Sequence, residues 1–311
     1  MRELADVETS RAQFVYVSRD RTESLALRAK PLRSREVHSK EPAVKGAEVQ
    51  TSDVDAENAL ERLLAKLESL APLSGEAREA VRRLPVTVRS VPARHDIVRE
   101  GERPDASCVI VEGWLCRYKL LEDGRRQIFS LHVPGDTPDL QSLHLPVLDH
   151  SVCAITPAVM GLIPHENLRA TTCAFPELAE LLWRDTLVDA GIFREWMLGI
   201  GRRSSEEHVA HLICELYAKL QAIGEASSLR FTLPITQIDL ADIIGVSDVH
   251  ANRIVQAIRR TGLIVWEGRH VEIKDWAGLT RFGGFDPTYL HLRTRAGSAG
   301  VSASSQDGRG G

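Results

Sequence analysis

Asn252, Arg253 and Gln256 carry side chains that form hydrogen bonds in pairs. An Asn or Gln amide donates and accepts together, which suits an adenine edge. The fork of an Arg suits the two acceptors of a guanine. At about 100° per residue, these three share one side of a helix with Asp248 and Val249. Ala251, Ile254, Val255 and Ile258 share the other side. A helix of this kind can read base edges in a groove. The same pattern also fits a helical hairpin that only packs a small domain.

The elements that must position these residues lie just upstream. Thr236 and Asp239 begin a short helix as a capping box, with Asp in the place of the usual Glu. Leu240, Ala241, Ile243 and Ile244 supply its apolar face. Gly245 ends it, where a left-handed residue permits a tight turn. Ser247 caps the next helix by accepting from its free amides. The small residues Ala241 and Ala251 face the place where the two helices cross. A short helix, a glycine turn and a second amphipathic helix describe a helix-turn-helix. The candidate DNA-binding set is Thr236, Gln237, Ser247, Asp248, Val249, His250, Asn252, Arg253 and Gln256, with Thr236 and Gln237 as phosphate contacts. A hairpin over 263–274, with Glu267-Gly268-Arg269 at its tip, has the size of a wing. Arg259 and Arg260 lie near the second helix's end, within reach of phosphates.

Charge constrains how such a reader works. The chain of 311 residues has a formal net charge of −4, and residues 201–280 hold nine Lys/Arg against ten Asp/Glu. Affinity must then come from the placement of charges and from two copies, not from a basic surface. No apolar run is long enough for a membrane span, and the N-terminus has no apolar core of a secretory signal, so a cytoplasmic protein is expected. The five cysteines form no C-x-x-C pair, which favours reduced thiols over a disulfide framework. No nucleophile elbow, phosphate loop or H-E-x-x-H is present, so no catalytic residues and no enzyme activity are assigned. His208, His211 and Cys214 sit at i, i+3 and i+6 and can be either a metal set or a packed helix face. The packed face is the preferred reading, and no metal or cofactor is assigned.

The rest of the chain divides by period. Residues 1–55 show no sustained period and are expected to be disordered. Helical spacing follows from about 56 to 84, at Leu60, Leu63, Leu64, Leu67 and Leu70. From Val86 the chain becomes short strand-like segments broken by Glu-Gly, Asp-Gly and Pro-Gly-Asp turns. Their spacing suggests a small antiparallel barrel or jelly roll, closed by strands around 151–164. Over 176–200 a helix carries apolar residues on nearly all sides, so it is buried on more than one face. It lies either in the core of a monomer or between its own barrel and a second copy. A further helix covers 203–223, and 226–230 reads as a polar loop. The expected fold is α+β: a jelly-roll sensor domain over 56–175, a dimerisation helix over 176–200 and a winged helix-turn-helix over 201–280. The tail, 281–311, is expected to be mostly disordered.

This order of elements resembles the Crp/Fnr family of bacterial transcription regulators over about residues 57–290. The resemblance is carried by "GWLCRYKLLEDGRRQIFSLHVPGD", "LDHSV", "GRRSSEEHVAHLICELYAKL" and "TQIDLADIIGVSDVHANRIVQAIRR". It implies a homodimer paired through 176–200, which binds a near-palindromic double-stranded operator and contacts RNA polymerase. It also implies that Arg253 is the family's base-reading Arg and Asn252 the reader before it. Val249 stands where the family has an important Glu. A Glu accepts from cytosine N4 and Val cannot, so the family's best-known operators do not carry over. Members that bind cyclic nucleotides hold the ribose with a Glu and the phosphate with Arg-Ser or Arg-Thr. Here Asp139 stands near the Glu position and His150-Ser151 replaces Arg-Ser, with Asp149 adding a repelling charge. These residues argue against cyclic AMP. No cysteine precedes Cys108, so the N-terminal cysteine cluster of the iron–sulfur members is missing. A protein-interaction or ligand-binding module whose helix-turn-helix no longer reads DNA is the alternative.

Overall fold

The structure, a computed structural model, describes residues 53–293. The expectation of disorder over 1–55 lies outside these residues except at 53–55, which begin a helix, and the tail from 294 onward also lies outside them. Two helices open the described chain: α1 (Asp53–Leu70) and α2 (Gly75–Arg82). The single helical stretch read from the leucine spacing is in fact broken by the Ala-Pro-Leu-Ser sequence. Ser74 then caps α2 by accepting from the amide of Ala77 at 3.1 Å.

Seven strands build the N-terminal β domain: β1 (Thr87–Val91), β2 (Asp96–Val98), β3 (Ala106–Glu112), β4 (Leu115–Leu120), β5 (Arg126–His132), β6 (Ser151–Ala154) and β7 (Ala158–Pro164). They form two antiparallel sheets, in the orders β1-β7-β3 and β2-β6-β4-β5. Cys108, Ile110, Leu115, Val152, Ala154 and Met160 fill the space between them. Each such buried aliphatic side chain contributes about 1.5–3 kcal/mol relative to exposure. The turn between β1 and β2 holds Arg94 at φ 67°, a left-handed conformation rare for a residue with a side chain.

Helix α3 (His165–Ala174) follows, where the sequence pattern had given no separate element. The long helix α4 (Pro176–Arg202) comes next, with Pro176 in its first turn. One side of α4, including Leu178, Leu181, Val188, Ile192 and Trp196, is buried. The opposite side leaves Trp183, Leu187, Phe193 and Met197 between 46% and 67% exposed. The all-round apolar character therefore resolves into one packed face and one open face.

The C-terminal domain contains α5 (Ser205–Ile223), β8 (Arg230–Thr232), α6 (Gln237–Ile244), α7 (Asp248–Arg260), β9 (Ile264–Glu267), β10 (His270–Ile273) and α8 (Trp276–Gly283). The small sheet has the order β8-β10-β9. Its first strand starts at Arg230, at the end of the segment read as polar loop, and has only three residues. The packed chain also runs past 280. Phe285 and Leu290 are buried, and the Tyr289 hydroxyl donates to Glu215 at 2.7 Å while Trp196 donates to the same carboxyl at 3.0 Å. These last residues thereby tie α5 to α4. Among the described residues, no helix is long and apolar enough to cross a membrane.

Candidate nucleic-acid interface

The helix-turn-helix is built by α6 and α7. The Thr236 side chain accepts from the Asp239 amide at 3.2 Å, and the Asp239 carboxylate accepts from the Thr236 amide at 2.8 Å, a complete capping box. Gly245 ends α6 at φ 72°, and Ser247 caps α7 by accepting from the His250 amide at 3.3 Å. Ala251, Ile254, Val255 and Ile258 are buried, and Ala241 is buried on α6. The apolar face of α7 is therefore consumed by packing.

The polar face is open. Ser247, Asp248, Val249, His250, Arg253 and Gln256 are exposed, and Asn252 is half-buried. Val249 stands 60% exposed at the N-terminal end of α7. Thr236 and Gln237, exposed at the start of α6, lie beside this face, and Asn252 donates to the Gln237 side chain at 3.0 Å. All nine residues singled out in the sequence thus gather along α7 and at the N-terminal end of α6. Arg259, whose side chain reaches from the end of α7, keeps its Nε shielded without a hydrogen-bond partner.

Three residues in contact with this motif were not legible in the sequence. Arg94 places its guanidinium as a fork on Asp239, with Nη2 at 2.7 Å from Oδ2. Arg126 donates to Asp239 at 3.0 Å and to Asp242 at 2.7 Å. Gln127 donates to the carbonyl of Ile243 at 3.0 Å. All three belong to the β domain. Asp239 is fully buried, which opposes its charge, but the hydrogen bonds from Arg94 and Thr236 hold its pKa down to about 2. No local pattern signals these contacts, because the partners lie more than 100 residues apart.

In the β domain, the side chains at the positions expected to face a ligand are engaged by other groups of the chain. Asp139 is buried and accepts from the Cys108 amide at 2.8 Å. The His150 ring donates to Asp149 at 2.7 Å and accepts from Gln141 at 2.9 Å. Ser151 accepts from the Glu100 amide at 3.0 Å. Arg117 donates to the carbonyl of Pro138 at 2.5 Å and pairs with Asp189 on α4. Next to it, Lys66 and Lys219 flank Asp136 at 2.7 and 3.2 Å. The cavity among these charges holds about 20 Å³, room for about one water.

The metal alternative on α5 is a packed face. His211 bonds to the Gly283 carbonyl at 3.2 Å and to the Tyr289 hydroxyl at 3.0 Å. His208 lies against Gly199, and burial pushes its pKa down to about 4. Burial also raises the Cys214 thiol well above its ordinary range. No cluster of three or more metal-ligating side chains occurs among the described residues.

With this geometry in hand, similarity to known proteins is specific. Residues 207–282 match the Crp-like helix-turn-helix domain, and residues 88–172 match the cyclic nucleotide-binding domain. The chain is 30% identical over 205 residues to the transcriptional activator protein FnrL of Cereibacter sphaeroides, covering 64% of this chain and 81% of that protein. It is also 30% identical over 194 residues to a probable transcriptional activator of Rhizobium leguminosarum bv. viciae, covering 62% of this chain and 80% of that one. The solved structure of FixK2 from Bradyrhizobium japonicum superposes with a TM-score of 0.59 at 26% identity, covering 64% of this chain and 98% of that one.

Proposed function

Because the chain belongs to the Crp/Fnr family of transcription regulators, we propose that it acts as a homodimer that reads a near-palindromic operator. The two copies pair through the open apolar face of α4, where Trp183, Leu187, Phe193 and Met197 lie opposite the packed face. Each copy places α7 in a major groove, with half-sites one helical turn apart. Arg253 and Asn252 face base edges, Val249 meets a thymine methyl, and Thr236 and Gln237 meet phosphates. Contact with RNA polymerase then activates or blocks transcription, in the cytoplasm.

The observation that carries this reading is the exposure of Asp248, Val249, His250, Arg253 and Gln256 on the polar face of α7 while its apolar face is buried. Substituting Arg253→Ala tests it. A base reader loses about 1–3 kcal/mol of operator affinity and relaxes its preference at one position. Unchanged affinity and preference would favour the interaction-module alternative.

A further inference from the structure

The β domain grips the helix-turn-helix at the end that meets phosphate. Arg94 and Arg126 reach α6 from two different places, the β1–β2 turn and the start of β5. Together with Thr236 they saturate Asp239, and Arg126 also takes Asp242. Arg126 is itself held, with its guanidinium 5.7 Å from the centre of the Tyr118 ring, and Tyr118 donates to Asp96 at 2.8 Å. Arg94 is kept at a positive φ although it is not glycine, a local cost that persists only where the surroundings impose it. Gln127 adds a bond to the last turn of α6. These contacts leave Thr236, Gln237 and the polar face of α7 exposed.

We propose that Arg94 and Arg126 form a latch that fixes the helix-turn-helix on the β domain with its reading face outward, so that both copies in a dimer hold α7 at operator spacing without a bound effector. This rests on the DNA-reading function proposed above. The covalent link between the domains runs through the α4–α5 junction at Arg203 and Ser204. Lys219 of α5 also reaches Asp136 and the Leu131 carbonyl of the β domain, so without the latch it is the α6–α7 end that can shift. That end must then be ordered each time both half-sites are engaged, and the second contact loses effective concentration. The latch supplies this order in advance. It does not touch α7, and of the assigned DNA contacts it meets only Thr236, through Arg94 Nη2 at 3.4 Å, so contact between one copy and one half-site depends on it only weakly.

The test uses full-length protein and the palindrome that the wild type selects from random duplexes. Arg94→Ala with Arg126→Ala should weaken binding to that palindrome at least ten-fold, with less than a two-fold change on a duplex carrying one half-site. The charge exchange Arg126→Asp with Asp242→Arg should recover part of the loss seen for Arg126→Asp alone, the rest staying lost because residue 126 also meets Asp239, and this recovery separates a latch from general damage to the fold. Palindrome binding that is unchanged or tighter in the double variant overturns the latch. An equal loss on one half-site also overturns it, since that would place the arginines in DNA contact or folding. If the wild type selects no palindrome, the DNA-reading function itself fails and the latch falls with it.

Discussion

The Nε2 of His150 accepts from the side-chain nitrogen of Gln141 at 2.9 Å, while its Nδ1 donates to Asp149 at 2.7 Å. Both ring nitrogens are thereby satisfied by a neutral imidazole. Burial, reinforced by the Arg117 charge, pushes its pKa below the usual histidine value. The position at which a nucleotide-binding relative would offer an Arg to a phosphate thus holds a neutral ring already engaged with its neighbours.

Cyclic AMP is expected to leave this protein unchanged. A ligand that binds the folded state raises thermal stability by mass action, by about 2.7 kcal/mol at a hundred times its Kd. Thermal unfolding with and without millimolar cyclic AMP should give coincident curves, and operator affinity should not move. A clear upward shift would show that His150-Ser151 can hold the phosphate.

Asp139 makes the fold sensitive to pH in an identifiable direction. Burial raises its carboxyl from 3.8 to about 6, against the Cys108 hydrogen bonds and the Arg117 charge. A raised folded pKa contributes stability that is complete below the unfolded value and is lost as the pH rises through about 6. Asp139→Asn keeps an oxygen acceptor for the Cys108 amide and removes the titration. The variant should be more stable than the wild type near neutral pH, by about 1–3 kcal/mol, with the advantage shrinking as the pH falls towards 4. Denaturant unfolding across that range measures it, and a variant less stable at neutral pH would show that the charge is needed.

The open face of α4 gives a test of assembly. Leu187 and Phe193 are 56% and 46% exposed on the open side of the helix, where the Phe193 and Phe129 rings also meet edge to face with centres 6.1 Å apart. Leu187→Asp with Phe193→Asp should turn a dimer into a folded monomer by light scattering, since charges in an apolar interface core are costly. Operator affinity should fall with it. A double variant that remains dimeric would place the contact elsewhere.

Val249 gives a test of the reading register. Val249→Glu restores a group that accepts from cytosine N4 at an exposed position beside Asn252 and Arg253. Selection with this variant should shift one base of each half-site towards cytosine pairing and leave the others. A preference unchanged at every position would show that residue 249 does not face a base.

The labelling of thiols tests the buried state of the β domain. Cys108, Cys116, Cys153 and Cys214 are buried and Cys173 is exposed. Desolvation raises Cys108 and Cys214, and for Cys116 the hydrogen bond with Cys153 adds to burial. A maleimide should modify one thiol per chain rapidly in the native protein and five after unfolding. Rapid modification of Cys116 or Cys153 would contradict their burial on the face of the sheet opposite Leu115 and Ala154.

What the sequence made legible was local. The α6–α7 pair could be read because its caps, glycine and apolar spacing lie within 25 consecutive residues. The face of α7 followed from its helical period alone. Other features depend on distant partners. The break between α1 and α2 carried a signal, Pro72 and the capping Ser74, but the leucine spacing masked it. Helix α3 is short and directly follows β7, with two threonines and a cysteine near its end, so no strong period marks it. The packing of Phe285, Tyr289 and Leu290 depends on His211 and Glu215, far upstream. The Arg94 and Arg126 contacts have no local signature, since a surface arginine in a turn and one at a strand start have many ordinary uses.

The most direct test of the central claim is selection from a random duplex library by the purified full-length protein with no added ligand. The expected result is enrichment of two inverted half-sites whose centres lie about 10–10.5 base pairs apart. Absence of any enriched sequence, or enrichment that appears only when cyclic AMP is added, would contradict a ligand-independent operator reader.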